Sequence, residues 1–312
     1  VFENLLNVSD LHVRFPTDVG LVNAINGVDL SINSGDIMGL IGESGCGKSV
    51  LGLAITRLLQ EDAIVNGRIN YRGDELHALD KKTMRQIRGK DIGIILQNPG
   101  TSLNPVIPIG KQIAEPLVIH QRMKRFAAMD KAVSLLERVK IREPEKRAKE
   151  YPHQFSGGMK ERALIAMSLA NESEFIIADE PTKGLDVTVK KNIVKLLKEI
   201  ANKKTMLIIT HDLAVAEDVC DNIGVMYAGE IVEIAPVERM FSEQLHPYTK
   251  GFFESLPARG LKPIKGNSPS LIDLPEGCRF HSRCDHCTER CKKEHPPMIE
   301  HEGRHVRCFL YA

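Results

Sequence analysis

Gly42-Glu43-Ser44-Gly45-Cys46-Gly47-Lys48-Ser49 is the stretch that decides the fold. Its spacing, G-x-x-x-x-G-K-S, is that of a loop that grips phosphate. Phosphate binding through the backbone needs several N–H groups converging on one point, and glycine lets the chain turn that tightly. A helix starting at Lys48 aims its positive end at the same point. The candidate contacts are Gly42, Ser44, Gly45, Cys46, Gly47 and Val50, with Cys46 as a small filler. Lys48 would hold the β- and γ-phosphates, and the Ser49 hydroxyl would ligate Mg²⁺. A chance match is expected in roughly one chain of this length in a hundred. The flanks make chance less credible: residues 37–41 are an apolar run of the kind buried in a parallel sheet, and residues 50–59 are apolar enough for a buried helix.

Further apolar runs at residues 91–96, 175–178 and 206–209 read as buried strands. Between the last two, Val189, Ile193, Leu197 and Ile200 recur at helical spacing among lysines, the pattern of an amphipathic crossover helix. Strand, helix, strand in this order predicts a parallel sheet covered by helices, an α/β fold. Leu11, Val13 and Phe15, then Val28, Leu30 and Ile32, alternate as strands do. Residues 223–227 and 231–235 flank Ala228-Gly229 and predict a hairpin. Residues 110–150 read as helical and basic, which more often marks a solvated face than a ligand surface.

Composition narrows the class. The 312 residues are 42% hydrophobic and 27% charged, with a net charge of +1. That balance offers nothing to nucleic acid. No apolar run approaches the ~18 residues of a membrane helix, and residues 1–15 lack the basic-then-apolar pattern of a secretion signal.

Two acids, Asp179 and Glu180, end the run at 175–178. Alone they are an ordinary turn; downstream of a phosphate loop, Asp179 is placed to hold Mg²⁺ through water and Glu180 to polarise an attacking water. His211 follows the strand at 206–209, where it could donate to the γ-phosphate. Gln97 follows the strand at 91–96, within reach of Mg²⁺ or the water. Either residue alone would be unremarkable.

Phe155-Ser156-Gly157-Gly158-Met159-Lys160 begins a second apolar helix with a second anion-binding start. One chain has no evident need of two cradles per nucleotide, unless each completes a site on another chain. This segment resembles the signature of ABC transporter ATP-binding subunits. The resemblance covers nearly the whole chain: Phe15 matches the adenine-stacking aromatic, Gln97 the Q-loop, Ser156 to Met159 the signature, Glu180 the catalytic base and His211 the switch histidine. Lys183-Gly184-Leu185-Asp186 matches the D-loop. Thr101-Ser102-Leu103-Asn104-Pro105, Tyr151-Pro152-His153-Gln154 and His246-Pro247-Tyr248-Thr249 resemble the dipeptide/oligopeptide/nickel importer branch.

The family implies a phosphate-loop NTPase with a RecA-like core, an antiparallel β subdomain and a helical subdomain at about residues 100–170. The ATPase domain would occupy residues 1–250, with a linker and cysteine-rich extension at 251–312; Pro257, Gly260, Pro263 and Gly266 mark the linker. It also implies head-to-tail pairing with a second, related ATPase subunit, two permease chains, an extracytoplasmic substrate-binding protein, and a place on the cytoplasmic face of the cell membrane. The cargo reads first as peptide and second as nickel or a nickel chelate. A soluble ABC ATPase is the reading from another class, but such chains usually carry two ATPase halves or lack this tail. The chain departs from the family at Lys183-Gly184, where Ser-Ala is usual, and at Asn98, where an acid is common.

Five of the seven cysteines crowd residues 278–308. Cys278, Cys284, Cys291 and Cys308 match four cysteines of the branch, which in some members hold a [4Fe–4S] cluster. Cys287 is extra. With Cys284, Cys291 and His281, His286 or His295 it makes zinc the alternative, and a metal-free tail is the third reading.

Overall fold

The run Ile37–Ile41 is a strand buried at all five positions, as a sheet covered on both faces requires. A computed structural model describes residues 4–256 and 260–312; Pro257, read above as linker, lies outside the described residues. In chain order the strands are β1 (Asn4–Thr17), β2 (Gly20–Asn33), β3 (Ile37–Ile41), β4 (Ile64–Tyr71), β5 (Asp74–Glu75), β6 (Ile92–Ile95), β7 (Phe175–Asp179), β8 (Thr205–Ile209), β9 (Asn222–Tyr227), β10 (Glu230–Pro236), β11 (Ile299–His301) and β12 (Arg304–Val306). The chain divides into two compact units, Val1–Ala78 with Ile209–Ala312, and Leu79–Ile208.

The first unit carries an antiparallel sheet in the order β2-β1-β4-β5. Leu5, Leu6, Val8, Leu11 and Val13 are its buried residues on β1. Beside it, β3 pairs with β9 in parallel, and β9 turns into β10 as the expected hairpin. The cysteine-rich tail then joins this sheet: β12 pairs with β10, β11 pairs with β12, and Arg307 N–H donates to Val232 O at 2.9 Å. Leu245, Val306 and Cys308 form a small core flanked by Ile299 and Tyr311. Arg304, 1% exposed, donates to Glu243 O at 3.0 Å and meets the carboxylates of Glu302 at 3.2 Å and Glu243 at 3.5 Å.

Two boundaries differ from the sequence pattern. The helix after the phosphate loop spans Lys48–Ile55 rather than residues 50–59. It stops because Thr56 Oγ1 turns back onto Gly52 O and Leu53 O, and Arg57 takes a left-handed φ of 51°. Past residue 248, where the periodicity fades, the helix Pro247–Glu254 buries Tyr248, Thr249, Phe252 and Phe253. Eight residues are too few for a repeating pattern to show.

In the second unit β6 pairs with β7 in parallel and β8 lies beside β7. The crossover helix Val187–Ala201 buries Ile193, Val194, Leu196, Leu197 and Ile200. Residues 109–168 are mainly helical, with helices Ile109–Gln121, Arg125–Arg138 and Gly157–Ser168. The last approaches the crossover helix so closely that a Cβ on Gly158 would strike Val189 Cγ1. Replacing Gly158 with leucine should therefore cost about 1–3 kcal/mol of stability, read as a lowered urea midpoint.

Candidate nucleotide site

The first unit, taken by itself, carries the glycine-rich loop at residues 42–49. Gly42 and Gly47 have φ of 147° and 106°. A Cβ at Gly42 would run into Met226 O, and one at Gly47 into Ala24 O, so both positions need glycine for conformation and for space. Gly47 is the N-cap of the helix Lys48–Ile55 and has no side chain to cap it, which leaves this helix start suited to an anion. Lys48 Nζ donates to Gly42 O at 2.8 Å and Glu43 O at 2.9 Å, and lies 3.6 Å from Cys46 Sγ. Cys46 is buried, and burial pushes its thiol pKa up, which agrees with a filler. Ser44 and Gly45 are exposed, while Ser49 and Val50 are half-buried on the first helical turn. Phe15 is half-exposed near the end of β1, opposite Val22. His211 is exposed just past β8, between Thr210, whose N–H donates to Leu40 O at 3.1 Å, and Asp212, which caps the helix Leu213–Val219.

The second unit, taken by itself, carries Asp179, Glu180, Gln97 and the second glycine-rich helix start. Asp179 ends β7, and Glu180 follows it at a φ of 51°; both are buried. A left-handed glutamate costs on the order of 1 kcal/mol, and such strain gathers at functional sites. Gln97 is half-buried two residues past β6. Ser156 caps the helix Gly157–Ser168 by accepting Met159 N–H at 3.4 Å. Ser156 and Gly157 are exposed and Gly158 is buried. Lys183 and Gly184 are also exposed, ahead of Asp186, which accepts the N–H groups of Thr188 and Val189 at 3.0 Å each. Asn98, where an acid is usual, caps a short turn by accepting Gly100 N–H.

Residues 25–183 match the family model described as ABC transporter, and residues 232–291 match the one described as oligopeptide/dipeptide transporter, C-terminal region. The chain belongs to the ABC transporter family. It is 41% identical to the oligopeptide transport ATP-binding protein AppD of Bacillus subtilis, over 98% of this chain and 97% of AppD. It is 42% identical to the dipeptide transport ATP-binding protein DppD of the same organism, over 99% of this chain and 95% of DppD. An ATP-binding cassette solved as a post-hydrolysis dimer with ADP and Pi shares 26% identity at a TM-score of 0.68, covering 75% of this chain and 99% of that one.

In this ABC ATPase the tail cysteines gather. Cys278, Cys284, Cys291 and Cys308 line one cavity of about 150 Å³, with His246, Phe280, His281 and His286. Cys287 is not in that lining, and its thiol faces Thr288 O at 3.5 Å. His295 is held elsewhere, 2.9 Å from both carboxylate oxygens of Glu230. Burial raises the Cys278 thiol pKa to about 12, and those of Cys284 and Cys308 also rise. Among the described residues, no three His, Cys, Asp or Glu side chains are arranged to hold a metal ion.

Three features of the structure escape the sequence pattern. Glu43 N–H donates to Tyr248 Oη at 3.0 Å, so the His246-Pro247-Tyr248-Thr249 motif reaches the phosphate loop. Arg283 meets the Glu43 carboxylate at 3.2 Å. Neither contact leaves a local signal, because each joins residues more than 200 positions apart. Glu161, on the signature helix, is 2% exposed with Oε1 buried and unpartnered. It sits in a run that reads as apolar helix, so only the packing shows its isolation.

Desolvation raises the Glu161 pKa to about 8, against an ordinary 4.5 in the unfolded chain. Between those values the folded protein holds a proton that the unfolded chain has released, so stability falls as pH rises. The penalty should grow from pH 4.5 to 8 by up to ~1.4 kcal/mol per pH unit. Glu161→Gln should remove that part of the slope and raise the urea midpoint at pH 8 more than at pH 5.

Proposed function

We propose that this chain is the ATP-hydrolysing subunit of an importer that carries dipeptides or oligopeptides across the cell membrane, working at its cytoplasmic face. The observation that carries the reading is the joint match on one chain: the ABC transporter model over residues 25–183 and the peptide-transporter C-terminal region over 232–291. Relatives named for peptide transport align over nearly the whole length. Neither is named for nickel, and the nickel alternative gains no support from them. Among the described residues no helix is long and apolar enough to cross a membrane. We take the partners to be two permeases, an extracytoplasmic substrate-binding protein and a second ATPase subunit, related but different.

Each residue takes a role that suits its setting. Lys48 trades the carbonyls of Gly42 and Glu43 for phosphate oxygens, and the loop amides hold the rest. Phe15 offers its ring to adenine. Ser49, Gln97 and Asp179 provide the hard oxygen donors that Mg²⁺ prefers. A bound Mg²⁺ neutralises charge on the phosphates. Glu180 orients the water, and His211 donates to the γ-phosphate. Ser156, Gly157 and Gly158 form the cradle offered to the partner's nucleotide, with Lys183 the exposed cation that sets this face apart from the usual D-loop.

For the tail, the reading is a [4Fe–4S] cluster held by Cys278, Cys284, Cys291 and Cys308. What favours this reading is that the four cysteines line one cavity, four being the number of thiolates such a cluster takes. The alternative zinc set loses weight because Cys287 and His295 face other partners. The cluster would tie together a segment too small to bury its own core.

Two experiments bear on these roles. Glu180→Gln should bind ATP with near-normal affinity, hydrolyse it at least ~100-fold more slowly, and accumulate as a closed dimer in size-exclusion runs with ATP. Normal turnover in this variant rules Glu180 out as the base. Anaerobically purified protein should be brown and carry about four irons per chain, whereas colourless protein with stoichiometric zinc ends the cluster reading.

A further inference from the structure

Arg283 lies in the cysteine-rich tail between Cys278 and Cys284, yet its side chain is spent on the phosphate loop. That side chain is only 6% exposed. Its Nη1 and Nη2 donate to the two carboxylate oxygens of Glu43, at 3.2 and 3.3 Å, a forked pairing. Nη1 also reaches Ser268 Oγ at 3.1 Å and Tyr227 Oη at 3.3 Å, and Nε donates to Lys265 O at 3.1 Å. The guanidinium lies over the rings of Tyr227 and Phe280, at 5.7 and 5.9 Å. Ser268 Oγ adds a 2.7 Å bond to Glu43.

The backbone of Glu43 is gripped by the same group of residues. Its N–H goes to Tyr248 Oη, and the Tyr248 ring packs on Tyr227 and Phe280 at centroid distances of 4.4 and 5.5 Å. Its carbonyl is one of the two that hold Lys48 Nζ. An exposed ion pair contributes little. This one is forked, stacked and shielded on its cationic side, which is where arginine differs most from lysine.

We propose that Arg283 is a positioning residue for nucleotide binding: by clamping Glu43 it presets the backbone of the phosphate loop, so that the tail tunes ATP affinity. This rests on residues 42–49 being the nucleotide loop. A loop already held in its bound shape gives up less freedom when phosphate arrives. Arg283 has no place among the groups that act on the γ-phosphate or the attacking water, so its loss is felt in binding more than in the chemical step.

The test uses the full chain with four variants: Arg283→Met, Arg283→Lys, Glu43→Gln and the double variant Arg283→Met/Glu43→Gln. Affinity for a fluorescent ATP analogue is measured beside steady-state KM and kcat. Arg283→Met and Glu43→Gln should each weaken nucleotide binding by about 5- to 20-fold, with KM rising by more than kcat falls. Arg283→Lys should recover part of the loss, and the double variant should bind no worse than the weaker single. Glu43→Gln is nearly isosteric at a half-exposed site, so it keeps the test alive if Arg283→Met does not fold. Affinities within twofold of wild type for Glu43→Gln, or losses that multiply in the double variant, overturn the proposal. Lys48→Ala is run alongside: normal binding there overturns the loop assignment itself, whatever Arg283 does.

Discussion

A loop that binds phosphate through its own backbone amides has to be held from outside, because its glycines carry no side chains with which to hold themselves. In this protein the hold is tight. Met226 O and Ala24 O leave no room for a Cβ at Gly42 or Gly47. Gly229 N–H donates to Cys46 O at 3.0 Å, and Gly229 O accepts Asn26 N–H at 2.8 Å, so the β9–β10 turn joins the loop to β2. Glu43 is fixed at its N–H, its carbonyl and its carboxylate. The anion site is thus as firm as the hairpin and the tail that press on it.

The tail gains its place through buried charge as well as apolar contact. Glu230, 3% exposed in its side chain, takes both Arg279 at 3.0 Å and His295 at 2.9 Å. Glu233 is fully buried and accepts the N–H groups of Leu245 and His246, 2.9 Å each. His246 is buried as well, which holds its pKa down to about 3, and its Nδ1 accepts Tyr248 N–H at 3.0 Å. Each buried polar group fits only its own partners, and removing one partner would strand the other. Residues around this seam do two things at once: Phe280 and His246 line the cysteine cavity, while Phe280 also packs against the tyrosines that touch the phosphate loop.

Strong local rules made much of the protein legible in advance. The phosphate loop, the acids after β7 and the serine at the signature helix are short motifs whose chemistry depends on neighbours in sequence. The buried strands and the crossover helix announce themselves by period. The helix Pro247–Glu254 was missed because eight residues give periodicity too little to work with. The shortened helix Lys48–Ile55 was missed because it is ended by Thr56 and Arg57, which carry no strong stop signal. Cys287 and His295 belong to the alternative zinc set of the sequence reading; in the structure Cys287 Sγ faces Thr288 O and His295 pairs with Glu230.

By itself, the sequence determined the α/β class and the family's nucleotide chemistry, and it named candidate residues for that chemistry, because those signals depend on spacing along a strand, a turn or one helical turn. Only the tertiary structure decided which groups hold the phosphate loop still, and that Glu161 Oε1 is left buried with no partner among the described residues. Those outcomes depend on side chains that meet across hundreds of residues, where hydrogen-bond geometry and exclusion of water choose the partners and no local pattern records the choice.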